Sequence, residues 1–247
     1  MNEQSIRELL VKELSSTKDG KDAAYISEMF IDKFSRRADL VMANGKLSVF
    51  EIKSNKDSLN RLEGQIETYI KFFEQVTIVC AEKHLSNVLA FVPRVVNVWK
   101  IDDFGNFTKI RSSTKINTLP KRQWLSFLPV DELKIFLRQE KIKSTGTRIQ
   151  LLELAEKTPL SSIRSYVLTY LKRREQKLKN VTSIQNTVKN NNILFLEQSN
   201  YQNRSLENLT AIPRLRLPTI HNHHPAHRYC SSAFEPKKNQ VVSQDVC

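Results

Sequence analysis

Residues 36–54 read RRADLVMANGKLSVFEIKS. Two short β-rich runs, Ala38 to Ala43 and Leu47 to Lys53, flank Asn44-Gly45, a dipeptide that strongly marks a hairpin. Strand side chains alternate faces, so Glu51 and Lys53 share a face and Ile52 points to the opposite one. The place of Asp39 depends on the turn. A strict two-residue loop sets Asp39 opposite Phe50, on the wrong face. An odd-length loop makes it face Glu51 directly or diagonally, and three residues with glycine in the left-handed position supply such a loop. A bulged turn is therefore expected. The apolar flanks Val49, Phe50 and Ile52 mark the second run as a central, mostly buried strand. Charged groups seldom sit in such a strand unpaired.

Elements on both sides extend this hairpin into a domain. Ile6, Leu9, Leu10 and Leu14 recur near a helical period, which predicts a helix over 3–14. Tyr25 to Ile31 reads as either a strand or a helix end. Leu59, Leu62, Ile66, Tyr69, Ile70 and Phe73 trace one face of a helix over 58–74. Val76 to Cys80 reads as a buried strand of a parallel sheet. A short helix over 83–90 follows. Val95 to Ile101 and Phe107 to Ile110 then flank a second turn, Asp102-Asp103-Phe104-Gly105. The order predicts an α/β domain with a mixed sheet and helices against it. Leu119 to Pro129 reads as a linker. Helical stretches are expected at 130–142, 147–157 and 160–179. Residues 181–247 hold 14 Asn plus Gln, four prolines and no glycine, and read as a low-order polar tail.

The chain has 247 residues, 40% of them apolar, enough for a real core. Its apolar runs are too short to span a bilayer. The N-terminus has no apolar signal core, and three scattered cysteines make no disulfide framework. A cytoplasmic setting without a membrane partner is expected. The formal charge is +13, which suggests a phosphate-bearing partner. By segment, residues 1–120 carry +2, 121–180 carry +8 and 181–247 carry +3. The excess therefore lies beside the hairpin domain rather than in it.

Two carboxylates a few ångströms apart repel unless a cation lies between them. Hard oxygen ligands suit Mg²⁺ or Mn²⁺. Asp39, Glu51 and the backbone carbonyl of Ile52 are the candidate ligands. Lys53 could orient a water or stabilise a developing anion. Together these groups fit phosphodiester hydrolysis. A plain solvated Glu and Lys on a strand is the competing reading.

Asp39, Glu51 and Lys53, spaced D-x₁₁-E-x-K on a hairpin before an amphipathic helix, resemble the PD-(D/E)XK nuclease superfamily. That superfamily is also called restriction-endonuclease-like. The run EIKSNKDSLNRLEGQIETYIKFFEQVTIVCAEKHL (51–85) is similar to little-characterised bacterial and phage-borne members. The likeness covers about residues 1–125. It implies a restriction-endonuclease-like mixed β-sheet flanked by helices and a metal-dependent nuclease. Asp39 and Glu51 would bind the metal, and Lys53 would be the catalytic lysine. Glu28 would complete the site from upstream, and Gln65 would face the metal from the helix. Arg37-Ala38 stands where the superfamily carries proline before Asp39. Many members dimerise to cut both strands, which leaves room for a homodimer.

Asp57 reads as a helix cap, Tyr69 as core and Cys80 as a small buried residue. Residues 126–180 form a small basic helical region. Its first 30 or so residues, around Ser144-Thr145-Gly146, resemble SAP-type DNA-binding modules. Lys141, Lys143 and Arg148 cluster at a helix N-terminus, and Lys172, Arg173 and Arg174 follow on the third helix. These six are the expected nucleic-acid contacts, with DNA the expected partner. An ordinary solvated helical surface is the alternative. For the whole chain, the alternative to a nuclease is a DNA-binding protein that keeps the fold and does not cut. His221, His223, His224 and His227 lie in the polar tail and are not expected to form a metal site.

Overall fold

The computed structural model describes residues 1–31 and 35–180. All of them belong to one compact unit, Met1–Asn192. The tail, with its four histidines and Cys230, lies outside the described residues.

Helix α1 (Glu3–Ser15) starts at Asn2, whose side chain accepts the Ser5 N–H at 2.8 Å. Strand β1 (Ala24–Ile31) resolves the ambiguous stretch in favour of a strand. Strands β2 (Arg36–Asn44) and β3 (Lys46–Lys53) form the expected hairpin. Helix α2 (Leu62–Phe72) then leads to β4 (Gln75–Ala81), and α3 (Glu82–Phe91) leads to β5 (Asn97–Ile101). Strand β6 (Phe107–Arg111) closes the second hairpin. Its turn is held by the Asp102 carboxylate, which accepts the backbone N–H groups of Phe104 and Asn106.

The six strands form one sheet in sequential order. The β1–β2, β2–β3 and β5–β6 pairs are antiparallel, and β3–β4 and β4–β5 are parallel. Chain order explains the mixture. Short stretches of chain separate the antiparallel neighbours, whereas α2 and α3 each provide the longer crossover that a parallel pair needs. One face buries Leu40, Met42, Phe50, Ile52, Val79 and Trp99 under Ile6, Leu10 and Leu14 of α1. The other buries Val41, Val49, Ile78 and Val98 under Leu62, Ile66 and Tyr69 of α2.

Two expectations change here. Helix α2 begins at Leu62 rather than near 58, with no side-chain cap. Asp57 instead closes the preceding loop: its carboxylate accepts the Ser54 N–H at 2.7 Å and the Ser54 hydroxyl at 2.6 Å. The stretch 119–129 is not an open linker. It holds helix α4 (Lys121–Ser126) and buries Leu119, Trp124, Leu125 and Leu128. Helices α5 (Val130–Gln139) and α6 (Arg148–Ala155) and helical residues 160–180, termed α7, follow. Their buried residues, including Phe136, Leu151 and Val167, continue the core on the α2 side of the sheet. Prolines 120 and 129 sit at the N-caps of α4 and α5 and start helices there.

Candidate active site

The site is a product of register. Strands β2 and β3 pair Leu40 with Phe50 and Asn44 with Lys46, leaving Gly45 alone at the tip with φ +65°. The loop is thus odd in length with glycine in the left-handed region, though a single residue at the tip stands in place of the expected three-residue bulged loop, and counting one residue past the Leu40–Phe50 pair sets Asp39 across from Glu51. Strands β1 and β2 pair Ser27 with Leu40 and Met29 with Ala38, so Glu28 falls across from Asp39. Three carboxylates from three neighbouring strands occupy one row.

That row is distorted. Glu28 has φ +54°, left-handed for a non-glycine residue, at a cost of roughly 1–2 kcal/mol. Before it, Ala24 and Ile26 enter the α2-side core; after it, Met29 and Ile31 do. The alternation therefore slips by one residue at Glu28. On β2 it slips at Asp39, between Ala38 and Val41. Both slips fall in the same row, so the register survives them. Such strain persists where the surroundings over-determine it, commonly at functional sites. Here Glu28 is gripped by Arg7 of α1 and by Arg37, whose Nε lies 2.5 Å away. Arg7 also reaches the Asp39 carbonyl at 3.5 Å. The Glu28 carboxylate is engaged by guanidinium groups, a different task from the expected completion of a metal site.

Asp39 is 8% exposed, and its Oδ2 accepts the Ile52 N–H at 2.7 Å. Burial, and then the charge of Glu51, push its carboxyl pKa up to about 8 against the pull of that hydrogen bond. Glu51 is 1% exposed and fully satisfied. Its Oε1 accepts from Lys53 Nζ at 2.8 Å and from Gln65 Nε2 at 2.5 Å, while Oε2 accepts from the Tyr69 hydroxyl at 2.6 Å. Lys53 Nζ also donates to Gln65 Oε1 at 3.2 Å. Helix α2 places Gln65 and Tyr69 one turn apart, so both lean onto Glu51. Burial, followed by the charge of Glu51, raises the Tyr69 hydroxyl pKa and keeps it a donor.

Asp39, Glu51, Lys53 and Gln65 therefore converge, and Ile52 lies between them with its side chain in the opposite core. Tyr69 is core, as expected, but its hydroxyl also belongs to the site. Its i, i+4 spacing from Gln65 was the available signal. Arg7 was missed altogether, because nothing local ties α1 to the hairpin. Among the described residues no three His, Cys, Asp or Glu side chains cluster to hold a metal. A cation here would rest on two carboxylates, a backbone carbonyl and water, a donor set that suits Mg²⁺. Cys80 is buried, and desolvation pushes its thiol up to about 11, consistent with a packing role.

The basic helical region divides into two groups. Arg148 donates to the carbonyls of Leu128 and Ser126, Lys172 to Asn44 Oδ1, and Arg173 to Glu132. These three hold the fold together. Lys141 and Lys143 stand exposed in the loop before α6, and Arg174 lines a cavity described below.

Comparison with known proteins places this architecture in a lineage. The model of the family "Bacteriophage P4 protein cII" matches residues 1–210. The chain belongs to the bacteriophage P4 protein cII family. A relative, Protein cII of Enterobacteria phage P4, is 39% identical over 179 residues, which is 70% of this chain and 68% of the relative. A solved protein of unknown function from Silicibacter pomeroyi aligns over 56% of this chain and 84% of its own, at 14% identity and a TM-score of 0.34. That score is too low to specify a shared fold. Membership of the P4 protein cII family names a lineage and no chemistry, so the chemistry has to be read from the site.

Proposed function

We propose that this chain is a divalent-metal-dependent nuclease of the PD-(D/E)XK, restriction-endonuclease-like kind, hydrolysing phosphodiester bonds in DNA. The observation that carries the reading is the convergence of Asp39, Glu51, Lys53 and Gln65 in one buried patch. Asp39, Glu51 and the Ile52 carbonyl would hold Mg²⁺ or Mn²⁺. The paired buried carboxylates fit such a cation, since burial and then the charge of Glu51 push the Asp39 carboxyl up to about 8, a penalty that a cation would offset. When bound, the cation supplies an acidified water and a counter-charge for phosphate. Gln65 and Tyr69 fix the Glu51 carboxylate. Lys53, oriented by Gln65 Oε1, presents an ammonium group to an incoming anion.

The reading takes nucleic acid as partner, leaves room for a homodimer, and takes a cytoplasmic setting. Among the described residues no helix is long and apolar enough to cross a membrane. A second reading, a DNA-binding protein that keeps the fold and does not cut, draws on the full hydrogen-bonding of Glu51 and the engagement of Glu28 by two arginines.

Plasmid, linear duplex and single-stranded DNA incubated with Mg²⁺, Mn²⁺ or EDTA separate the two. Metal-dependent cleavage is expected, with Lys53→Ala and Asp39→Ala each lowering it by about 10²-fold or more. DNA binding without cleavage under any metal condition would favour the second reading. Cleavage that survives both substitutions would place the chemistry elsewhere.

A further inference from the structure

A cavity of about 720 Å³ opens among β1, α2, α4, α6 and α7, within the ~300–1,000 Å³ range of ligand clefts. Its lining among the described residues combines the rings of Phe30, Phe72 and Phe127 with the guanidiniums of Arg122, Arg148 and Arg174, and no carboxylate is among them. Ile149, in the lining, is 62% exposed and so offers apolar surface to a ligand, and Phe30 beside it is 52% exposed. Arg122 is compensated by Glu156. Among the described residues Arg148 bonds only to carbonyl groups and Arg174 forms no ion pair, so neither guanidinium is met there by a carboxylate. The complementary ligand has an apolar body and negative charge.

A nucleotide fits that description, and the position of the cavity favours it. Aromatic faces stack on any base, and guanidinium groups take phosphate. Met29, in the lining, directly follows Glu28 of the carboxylate row. Helix α2 carries Gln65 at the site and Phe72 at the cavity, about 10 Å apart along its axis at ~1.5 Å per residue. Both lie on the sheet face that α2 covers. A base within a duplex could enter only by giving up its pairing and stacking.

We infer that this cavity receives an unpaired nucleotide of the strand being processed, which makes single-stranded or frayed DNA the substrate class. The link to processing rests on the nuclease reading; the binding preference does not.

The full chain is titrated in EDTA against a fluorescein-labelled 20-nucleotide single strand and the matching duplex, by anisotropy at several KCl concentrations. The single strand is expected to bind about tenfold tighter. Phe30→Ala and Arg174→Ala should each remove most of that preference, with an unchanged thermal midpoint showing that the variants are folded. Arg174→Lys should retain part of it. Equal affinity for both DNAs, or wild-type preference in both alanine variants, would overturn the inference. So would displacement of an apolar dye from the cavity by an acidic amphipathic peptide but not by the oligonucleotide. Single-strand preference without metal-dependent cleavage would sink the nuclease reading alone.

Discussion

Lys53→Met tests the buried patch without assuming any catalytic role. Lys53 Nζ lies 2.8 Å from Glu51 Oε1, and the two side chains are 11% and 1% exposed. Coulomb's law at an effective dielectric of about 20 gives roughly 6 kcal/mol for unit charges at that 2.8 Å separation. Desolvation of both ions cancels much of this. The cost of breaking such a pair is instead set by the charge left behind, commonly about 3–5 kcal/mol. Glu51 would keep Gln65 and Tyr69 as donors, so the lower end, about 3 kcal/mol, is expected. Glu51→Gln combined with Lys53→Met removes both charges and should cost about 1 kcal/mol or less, because no buried ion is left unpaired. Adding Glu51→Gln to Lys53→Met should thus recover about 2 kcal/mol. Urea titration at pH 7 in EDTA measures it through Trp99 and Trp124, one in each core. The single variant should lose roughly 1.5 M in midpoint at a slope near 2 kcal/mol per molar. A cost below about 1 kcal/mol, the range of surface pairs, would refute this account of the patch. A double variant as unstable as Lys53→Met would do the same.

Three other perturbations test neighbouring links. Asp39 titrates at about 8 folded against 3.8 unfolded, so the folded state holds the extra proton between those values and this group weakens stability as pH rises through that window. Asp39→Asn in EDTA should therefore exceed wild-type stability at pH 8 and match it below pH 4; melts showing the opposite trend would contradict the burial argument. Gly45→Ala meets no atom within 4 Å but forces φ +65° on an L-residue, so thermal melts should show a loss of about 1 kcal/mol with Gly45→Asn milder. Arg164→Met strips Glu74 of two donors at 2.8 and 3.1 Å and leaves only the Leu47 N–H; since the Arg164 side chain is 36% exposed, about 2 kcal/mol is expected, with Glu74→Gln restoring part.

How much of this was legible depended on how local the physics was. The hairpin, the shared face of Glu51 and Lys53, and the odd turn at Gly45 follow from alternation and from one glycine's freedom at positive φ. They could be read directly. Glu28 could be placed upstream by spacing, but its partner choice could not. That choice depends on Arg7, 21 residues away on α1, and on paired slips in β1 and β2 that leave no mark in the residue pattern. The basic region illustrates the same limit. Charge counting located the +8 segment but could not separate Arg148, Lys172 and Arg173, which bond internally, from Lys141, Lys143 and Arg174. The linker reading at 119–129 failed because prolines mark helix starts as readily as loops, and the buried Trp124 and Leu125 decided between them.

The charges in the patch also bear on how a metal would be recognised. With Asp39 protonated, Glu51 and Lys53 leave the buried patch neutral, which is why it can form with so little solvent contact. A divalent cation held by both carboxylates requires the Asp39 proton to leave. The patch would then carry one net positive charge, suited to a phosphate diester. Metal binding and proton release are thereby linked. Apparent Mg²⁺ affinity should rise up to about tenfold per pH unit and level off near pH 8, the value to which burial and Glu51 bring Asp39. Calorimetric titration in two buffers of different ionisation enthalpy should register close to one proton released per metal at pH 7. In Asp39→Asn that release should vanish even if some metal still binds. Proton release that persists in the variant would mean another group couples to the metal, and Asp39 would lose its place in the site.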